Sequence, residues 1–163
     1  MKAVILAAGE GTRLRPLTLE TPHPLIQVAG KCIIERILES LPSSIDEVVL
    51  VVEYLKEKIE SHLGDHFQSL KITYVPQGKM RGTYGALCSA KELLNERFLV
   101  LNGDDLHSKE ELEQFIQSGE RTFGLQKMLM PHYYEVLVDK EGYVAGFNKD
   151  SKDEKLVATG QGG

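Results

Sequence analysis

The sequence lacks several features that assign a chain to a broad class at once. None of its apolar runs approaches the roughly 20 residues of a membrane span. Its formal net charge of −5 lacks the basic excess of a broad nucleic-acid-binding surface. The glycines and charges within the first ten residues are not typical of a signal peptide. We therefore expect a cytoplasmic protein whose 163 residues form one domain, with neither nucleic acid nor membrane as a partner.

Cysteine is scarce, and neither Cys32 nor Cys88 has the spacing of a metal or redox motif. We expect both thiols to be reduced, small apolar side chains of the core. His62 and His66 are four residues apart, but Gly64 interrupts the helix between them. With no third ligand near in the sequence, the spacing disfavours a metal pair.

Apolar runs and helical patterns alternate along the first two thirds of the chain. Continuous apolar runs predict buried strands at 2–6, 48–52, 72–75 and 98–101. Apolar residues recur at helical spacing at 33–41, 55–63, 86–94 and 112–116. Ser108 with Glu111 predicts a capping box ahead of the last of these segments. This order predicts an α/β fold with a mainly parallel sheet and helices on both faces. Ligands of such sheets bind at the carboxyl ends of the strands.

The pattern changes after Gln117. Short runs at 123–129, 133–138 and 143–147 predict strands joined by short turns, and hence a late antiparallel part. The lysines and acidic residues that alternate over 149–155 are typical of a solvated surface segment. A sheet edge left without a neighbour would allow pairing in a homo-oligomer.

A glycine loop follows the first apolar run, with the sequence Ala-Ala-Gly-Glu-Gly-Thr-Arg-Leu over 7–14. Glycines let the backbone approach a ligand closely, and the N–H groups of such a loop can surround an anion. Arg13 adds a permanent charge whose planar donors suit phosphate oxygens. The loop therefore favours a nucleotide bound through its phosphates, and the alternative is a strand-end turn without a ligand.

Two other nucleotide motifs fit this loop poorly. No Gly-Lys-Ser or Gly-Lys-Thr follows the second glycine, which excludes a Walker A loop. Leu14 stands where a dinucleotide fingerprint needs its third glycine, and Pro16, Pro22 and Pro24 prevent the long helix that this fingerprint opens. An NAD-binding protein is thus disfavoured.

Polar residues follow two of the other predicted strands. The segment Asn102-Gly103-Asp104-Asp105 places two carboxylates at a strand end, where they suit Mg²⁺. Successive side chains of a strand point to opposite faces, so one of the two carboxylates would face the ligand. The alternative is an ordinary Asn-Gly-Asp turn. Gln77 offers a donor and an acceptor that can pair with a nucleobase. Thr83, beside Gly82, can contribute to that site or cap the next helix, and its spacing alone favours the cap.

Together these residues resemble the sugar-nucleotidyltransferase family, which joins a nucleoside triphosphate to a sugar 1-phosphate. The resemblance covers the opening segment 1–18, the segments 21–25 and 28–31, Gln77 with Gly82-Thr83, and 101–104. It implies a Rossmann-like nucleotidyltransferase fold, most similar to the thymidylyl- and uridylyltransferases. It also implies an enzyme that transfers a nucleotidyl group from dTTP or UTP to a sugar 1-phosphate and releases pyrophosphate.

The resemblance also assigns roles to the matching positions. It implies that nucleotide-binding residues are Leu6, Ala8, Gly9, Gly11, Thr12, Arg13, Gln77, Gly82 and Thr83. In this assignment Gly11 and Arg13 hold the triphosphate, and Gln77 and Gly82 contact uracil or thymine. Asp104 binds Mg²⁺ and, with Arg13, is catalytic.

The sugar-phosphate positions depart from the family pattern. His23 stands between two prolines where the family has lysine, and imidazole is not a permanent cation at pH 7. Asn148-Lys149-Asp150 stands where the family has Glu-Lys-Pro. If the alignment has a one-residue deletion, Lys149 keeps the phosphate-binding role and Asn148 replaces the glutamate. If it has no gap, Lys149 and Asp150 reverse the charges of the family's glutamate and lysine. Tyr134 replaces a glycine, and the family's second metal-binding aspartate lies beyond residue 163.

Two hypotheses on function follow from these departures. In the first, the chain is an active nucleotidyltransferase domain without the C-terminal part of the family fold. In the second, it is a nucleotide-binding or regulatory member without turnover.

Overall fold

The computed structural model describes residues 1–118, 125–128, 135–141, 144–148 and 155–158. The chain divides into two compact units, Met1–Gln117 and Ser118–Gly163. The expectation that both form one domain stays a prediction.

The first unit alternates strands and helices as the apolar patterns predict. Its elements are β1 Lys2–Leu6, β2 Gln27–Val28, β3 Lys31–Cys32, α1 Ile33–Ser40, β4 Glu47–Val52, α2 Lys56–Leu63, β5 His66–Phe67, β6 Leu70–Pro76, α3 Gly82–Ser89, β7 Phe98–Asn102 and α4 Lys109–Gln117. None of the helices that the structure describes is long and apolar enough to cross a membrane.

The central sheet has the strand order β5-β6-β4-β1-β7. Strands β6, β4, β1 and β7 are parallel, and β5 is antiparallel to β6. β5 has two residues, too few for apolar periodicity to predict it. β1 and β4 are buried on both faces, which explains why they are continuous apolar runs rather than alternating ones.

Helices cover both faces of the sheet, which confirms the predicted layers. On one face Ile37 of α1, Ile59 of α2 and Leu112 of α4 belong to one core cluster. On the other face Ala86 of α3 packs with Val4 and other strand residues. The sheet therefore lies between two layers of helix, and its strand ends stay available for a site.

Local signals set two helix boundaries. α2 ends at Leu63, and Gly64 then adopts φ +67°, the left-handed region that favours glycine. Ahead of α4, the Ser108 backbone N–H donates to a Glu111 carboxylate oxygen (2.8 Å), and the Glu111 N–H donates to Ser108 Oγ (3.2 Å). This confirms the predicted capping box.

The second unit contains four described strands: β8 Leu125–Met128, β9 Glu135–Val138, β10 Val144–Asn148 and β11 Lys155–Ala158. β9 pairs with β10 and β8 pairs with β11, in both cases antiparallel. The late antiparallel part is thus confirmed, but the charge alternation over 149–155 does not predict that a strand begins at Lys155. The turn expected at 130–132 lies outside the described residues.

Candidate nucleotide-binding site

The strand order creates a switch point at the carboxyl end of the sheet. From β1 the chain passes to β4 and β6 on one side, and it returns to place β7 on the other side of β1. In open α/β sheets the crevice at such a reversal is the usual ligand site. The glycine loop follows β1 and the acidic turn follows β7, so both lie at this crevice.

The glycine loop leaves β1 without entering an α-helix. The Ala7 N–H donates to Val51 O (2.8 Å), which extends the pairing with β4 by one residue. The chain then forms short 3₁₀ turns at Thr12–Leu14, Leu17–Leu19 and His23–Leu25. This confirms that the proline-rich stretch breaks the helix that a dinucleotide fingerprint requires.

Gly9 and Gly11 have different local roles in the loop. Gly11 has φ +62°, and a Cβ there would lie 2.9 Å from Thr18 Cγ2, so the fold itself requires glycine. A Cβ on Gly9 would meet no described atom within 4 Å. Gly9 is exposed, and its missing side chain leaves the backbone of the loop open.

Thr18 is a supporting residue that the sequence patterns do not reveal. It is fully buried, and its Oγ1 donates to Gly11 O (2.8 Å). The Tyr54 hydroxyl donates in turn to Thr18 O (2.9 Å). A single threonine has no periodic signal, yet these bonds connect the second turn of 3₁₀ helix to the glycine loop and to the end of β4.

The two arginines of the loop are in different environments. Arg15 Nη2 lies 3.0 Å from a Glu10 carboxylate oxygen and forms an ion pair with it. Arg13 is exposed in the turn Thr12–Leu14, and in the part of the chain that the structure describes it has no ion pair. Arg13 is therefore the guanidinium of this loop that is available to an anionic ligand.

The turn after β7 packs tightly against the end of β1. The Gly103 N–H donates to Leu6 O (2.9 Å), and a Cβ on Gly103 would lie 3.0 Å from both Leu6 O and Ala7 Cβ. Glycine at this position lets the acidic turn approach the glycine loop. The close approach of the two segments thus depends on one residue without a side chain.

The two carboxylates of this turn separate, as the alternation of side chains suggests. A carboxylate oxygen of Asp105 accepts a hydrogen bond from the Asn102 amide (3.1 Å), which uses Asp105 inside the turn. Asp104 is exposed instead, and its Oδ2 lies 4.0 Å from His23 Nδ1. The structure therefore brings His23, in its turn between two buried prolines, to the carboxylate that the sequence predicts as a metal ligand.

Gln77 follows β6 at the same end of the sheet. Its backbone N–H donates to Val52 O (2.9 Å), and its side-chain amide donates to Met80 O (3.0 Å). α3 begins at Gly82, which has φ +82°, with Arg81 at the N-cap and no side-chain cap. The expected cap at Thr83 is wrong, because Thr83 lies inside the first turn, where its hydroxyl cannot act as the N-cap, and it is exposed.

Most predicted nucleotide-site positions thus lie at one end of the sheet, on the segments that follow β1, β6 and β7. Lys149 and Tyr134 lie outside the described residues, so their predicted places in a sugar-phosphate site stay predictions. His62 and His66 do not form a pair. Instead His62 Nε2 lies 3.2 Å from Glu35, and His66 Nδ1 lies 3.1 Å from Asp65.

Comparison with known proteins agrees with this architecture. Residues 2–145 match the model of the nucleotidyl transferase family. The chain therefore belongs to that family.

Two of the curated relatives that match the chain are much longer than it. The bifunctional protein GlmU of Methanocaldococcus jannaschii is 42% identical over 117 residues, which are 72% of this chain and 28% of that protein. The mannose-1-phosphate guanylyltransferase catalytic subunit beta of Dictyostelium discoideum is 40% identical over 150 residues, covering 86% of this chain and 42% of that protein. The chain thus spans less than half the length of either relative.

A solved structure shows the same fold. A UDP-glucose pyrophosphorylase complexed with UDP-glucose superposes with a TM-score of 0.78, covering 96% of this chain and 72% of that one, at 17% identity. At this identity the likeness concerns the fold alone.

Proposed function

We propose that this chain carries the nucleotide-binding half of a sugar-1-phosphate nucleotidyltransferase, which transfers a nucleotidyl group from dTTP or UTP and releases pyrophosphate. The observation that carries the proposal is that three features lie at the switch point of the sheet. They are the open glycine loop, Arg13, which has no ion pair among the described residues, and the exposed Asp104. A fold without a ligand needs neither an exposed loop backbone nor a free guanidinium at that place.

In the proposed reaction an oxygen of the sugar phosphate attacks the α-phosphorus of the nucleotide in line. One oxygen–phosphorus bond forms and the bond to the departing pyrophosphate breaks, so the displacement itself moves no proton. The nucleophile is already an anion, and catalysis consists of positioning and of neutralising charge. Arg13 serves the second task, since a planar guanidinium binds phosphate oxygens with paired hydrogen bonds.

The base and ribose contact the main chain around Leu6, Ala8 and Gly9 in this proposal, and the triphosphate contacts Gly11, Thr12 and Arg13. Gln77, Gly82 and Thr83 face the base. One relative that is 40% identical to this chain is named a guanylyltransferase. Guanine, a purine, is therefore the base that competes with uracil and thymine in this proposal. A direct comparison of dTTP, UTP and GTP separates these bases.

Asp104 is the residue that would hold Mg²⁺. Its carboxylate is exposed and has one described ionic neighbour, His23 at 4.0 Å. A single carboxylate with free oxygens fits an ion that takes most of its ligands from phosphates and water. Such an ion, when bound, offsets the negative charge that develops on the phosphate oxygens. His23 and Lys149 are the proposed contacts of the sugar phosphate.

Calorimetric titration of dTTP, UTP and GTP with Mg²⁺ tests the nucleotide site. Arg13→Ala should weaken the affinity about 10- to 100-fold, since a hydrogen bond to a charged group contributes about 1.5–3 kcal/mol. Arg15→Ala is the matched control, because it removes an exposed arginine of the same loop that is already paired with Glu10. Equal effects of both substitutions, or no binding by the folded chain, would contradict the proposal.

The second hypothesis, a nucleotide-binding member without turnover, is favoured by one observation. His23 lies beside Asp104 at the position where the family has lysine, so the site has no permanent cation there. Pyrophosphate release with a panel of sugar 1-phosphates decides between the two hypotheses. Binding without release would favour the second.

A further inference from the structure

A cluster of metal-ligating side chains lies outside the proposed nucleotide site. It consists of Cys32, Glu35 and His62, which we call the Cys-Glu-His cluster. One donor atom of each residue lies within 4.8 Å of the others. Cys32 immediately precedes α1, Glu35 lies in the first turn of α1, and His62 lies in the last turn of α2. Two helices on the same face of the sheet thus contribute to one group of donors.

The carboxylate of Glu35 is held between the other two residues. Its Oε2 accepts a hydrogen bond from the Cys32 backbone N–H (2.7 Å), and its Oε1 lies 3.2 Å from His62 Nε2. The N-cap bond orients the carboxylate, as the partners of metal-bound carboxylates commonly do. Glu35 therefore presents a fixed oxygen toward the imidazole.

Burial within the cluster is graded. Cys32 is 3% exposed, whereas the side chains of Glu35 and His62 are 26% and 37% exposed. The sulfur thus closes the inner end, and the outer end opens to solvent. This is the arrangement in which water supplies a fourth ligand to three protein donors.

We propose that the Cys-Glu-His cluster is a zinc site that connects the start of α1 to the end of α2. Sulfur, imidazole nitrogen and carboxylate oxygen are the donors that tetrahedral Zn²⁺ takes in proteins. The thiolate and the carboxylate together carry two negative charges, which balance the charge of the ion. This inference is independent of the proposed function.

Coordination requires a small contraction and the loss of one proton. Donors around tetrahedral zinc are about 3.4–3.6 Å apart, given bonds of about 2.0–2.3 Å. His62 is exposed in the last turn of α2, which ends at Leu63, so its side chain can approach the sulfur without disturbing the core. The thiol of Cys32 donates to Leu25 O (3.4 Å); on metal binding it would lose its proton to solvent and bond the metal through sulfur.

Cobalt titration followed by absorption spectroscopy tests this site. We expect one Co²⁺ per chain, a thiolate-to-cobalt charge-transfer band, and displacement of the band by Zn²⁺. Cys32→Ser should abolish the band, and Cys88→Ser should leave it unchanged. Cys88 is the matched control because it is the second thiol of the chain, on α3 at the other face of the sheet.

Two exposed histidines provide a second test that does not depend on a core substitution. His62→Gln should weaken cobalt binding by about 100-fold or more, since even partners that only orient a ligand contribute about 10–100-fold. His66→Gln, which removes a histidine paired with Asp65, should not weaken it. Absence of the band in the folded chain, its persistence in Cys32→Ser, or equal effects of both histidine substitutions would overturn the proposal. None of these outcomes would bear on the proposed nucleotide site, which shares no residue with the Cys-Glu-His cluster.

Discussion

The two units of the chain differ in what positions their residues. In Met1–Gln117 the residues of the proposed nucleotide site follow parallel strands whose order is set by long crossovers. In Ser118–Gly163 the described strands pair two by two as antiparallel ladders. The comparison teaches that the parallel unit can bring distant segments to one strand end, because the carboxyl ends of its strands share one edge.

Leu50 in the first unit and Val138 in the second differ strongly in burial, and a pair of truncations measures the difference. Leu50 is fully buried in β4, whereas Val138 of β9 is 41% exposed. Leu50→Ala should lower the free energy of unfolding by about 2–5 kcal/mol, the range for a large aliphatic side chain removed from a core. Val138→Ala should change it by less than about 0.5 kcal/mol. Chemical denaturation followed by circular dichroism measures both, and similar losses would contradict this difference between the two positions.

The roles proposed for Arg13, in the first unit, and Lys149, in the second, predict a separation of effects. Lys149→Ala should weaken the binding of sugar 1-phosphate by about tenfold, corresponding to about 1.4 kcal/mol. The reason is that the substitution removes the ammonium group proposed to contact the phosphate. It should leave the affinity for nucleotide unchanged, whereas Arg13→Ala should do the reverse. Titration of each ligand with each variant tests this. Loss of nucleotide affinity in Lys149→Ala would show that the role proposed for Lys149 is wrong.

His23 provides a gain of function. His23→Lys places a permanent cation beside Asp104, and we expect kcat/KM for pyrophosphate release to rise by up to about tenfold. His107→Lys adds the same charge in the loop ahead of α4 and serves as the control. A rise in both variants would indicate net charge rather than position, and no rise in either would favour binding without turnover.

The smallest expected effect concerns the capping box of α4. The hydrogen bond from the Ser108 N–H lowers the pKa of Glu111 below its ordinary value of 4.5. A carboxyl group with a depressed pKa in the folded state stabilises the fold above pH 4.5, and this contribution is lost as the pH falls through the depressed value. Glu111→Gln should therefore make the loss of stability below pH 4.5 shallower.

Thermal unfolding between pH 3 and 7 measures this effect, with Glu110→Gln as the neighbouring control in the same helical turn. An identical pH dependence of the native chain and Glu111→Gln would contradict the assignment.

The fold was largely predictable from local patterns. The four long parallel strands, the existence of the four helices, the break at Gly64 and the capping box at Ser108 all follow from apolar period and short-range signals. The bounds of the third helix do not, because α3 covers Gly82–Ser89 whereas the apolar pattern spans 86–94. The patterns failed where an element is too short to have a period, as for β5, and where a residue type suits two roles. Thr83 has the chemistry of a cap, but α3 starts at Gly82, so that its N-cap is Arg81, two residues before Thr83.

Residue identity by itself determined the components of the proposed site: an open glycine loop, an arginine with planar donors, and a strand end with carboxylates. Only the tertiary structure decided that Asp104 rather than Asp105 faces His23, and that buried Thr18 supports Gly11. It also brought Cys32, Glu35 and His62 together, although the sequence spacing indicates no third ligand near the histidines. The reason is physical. Apolar period and helix or strand propensity act over a few residues, whereas these contacts depend on the strand order and on how tightly neighbouring elements pack.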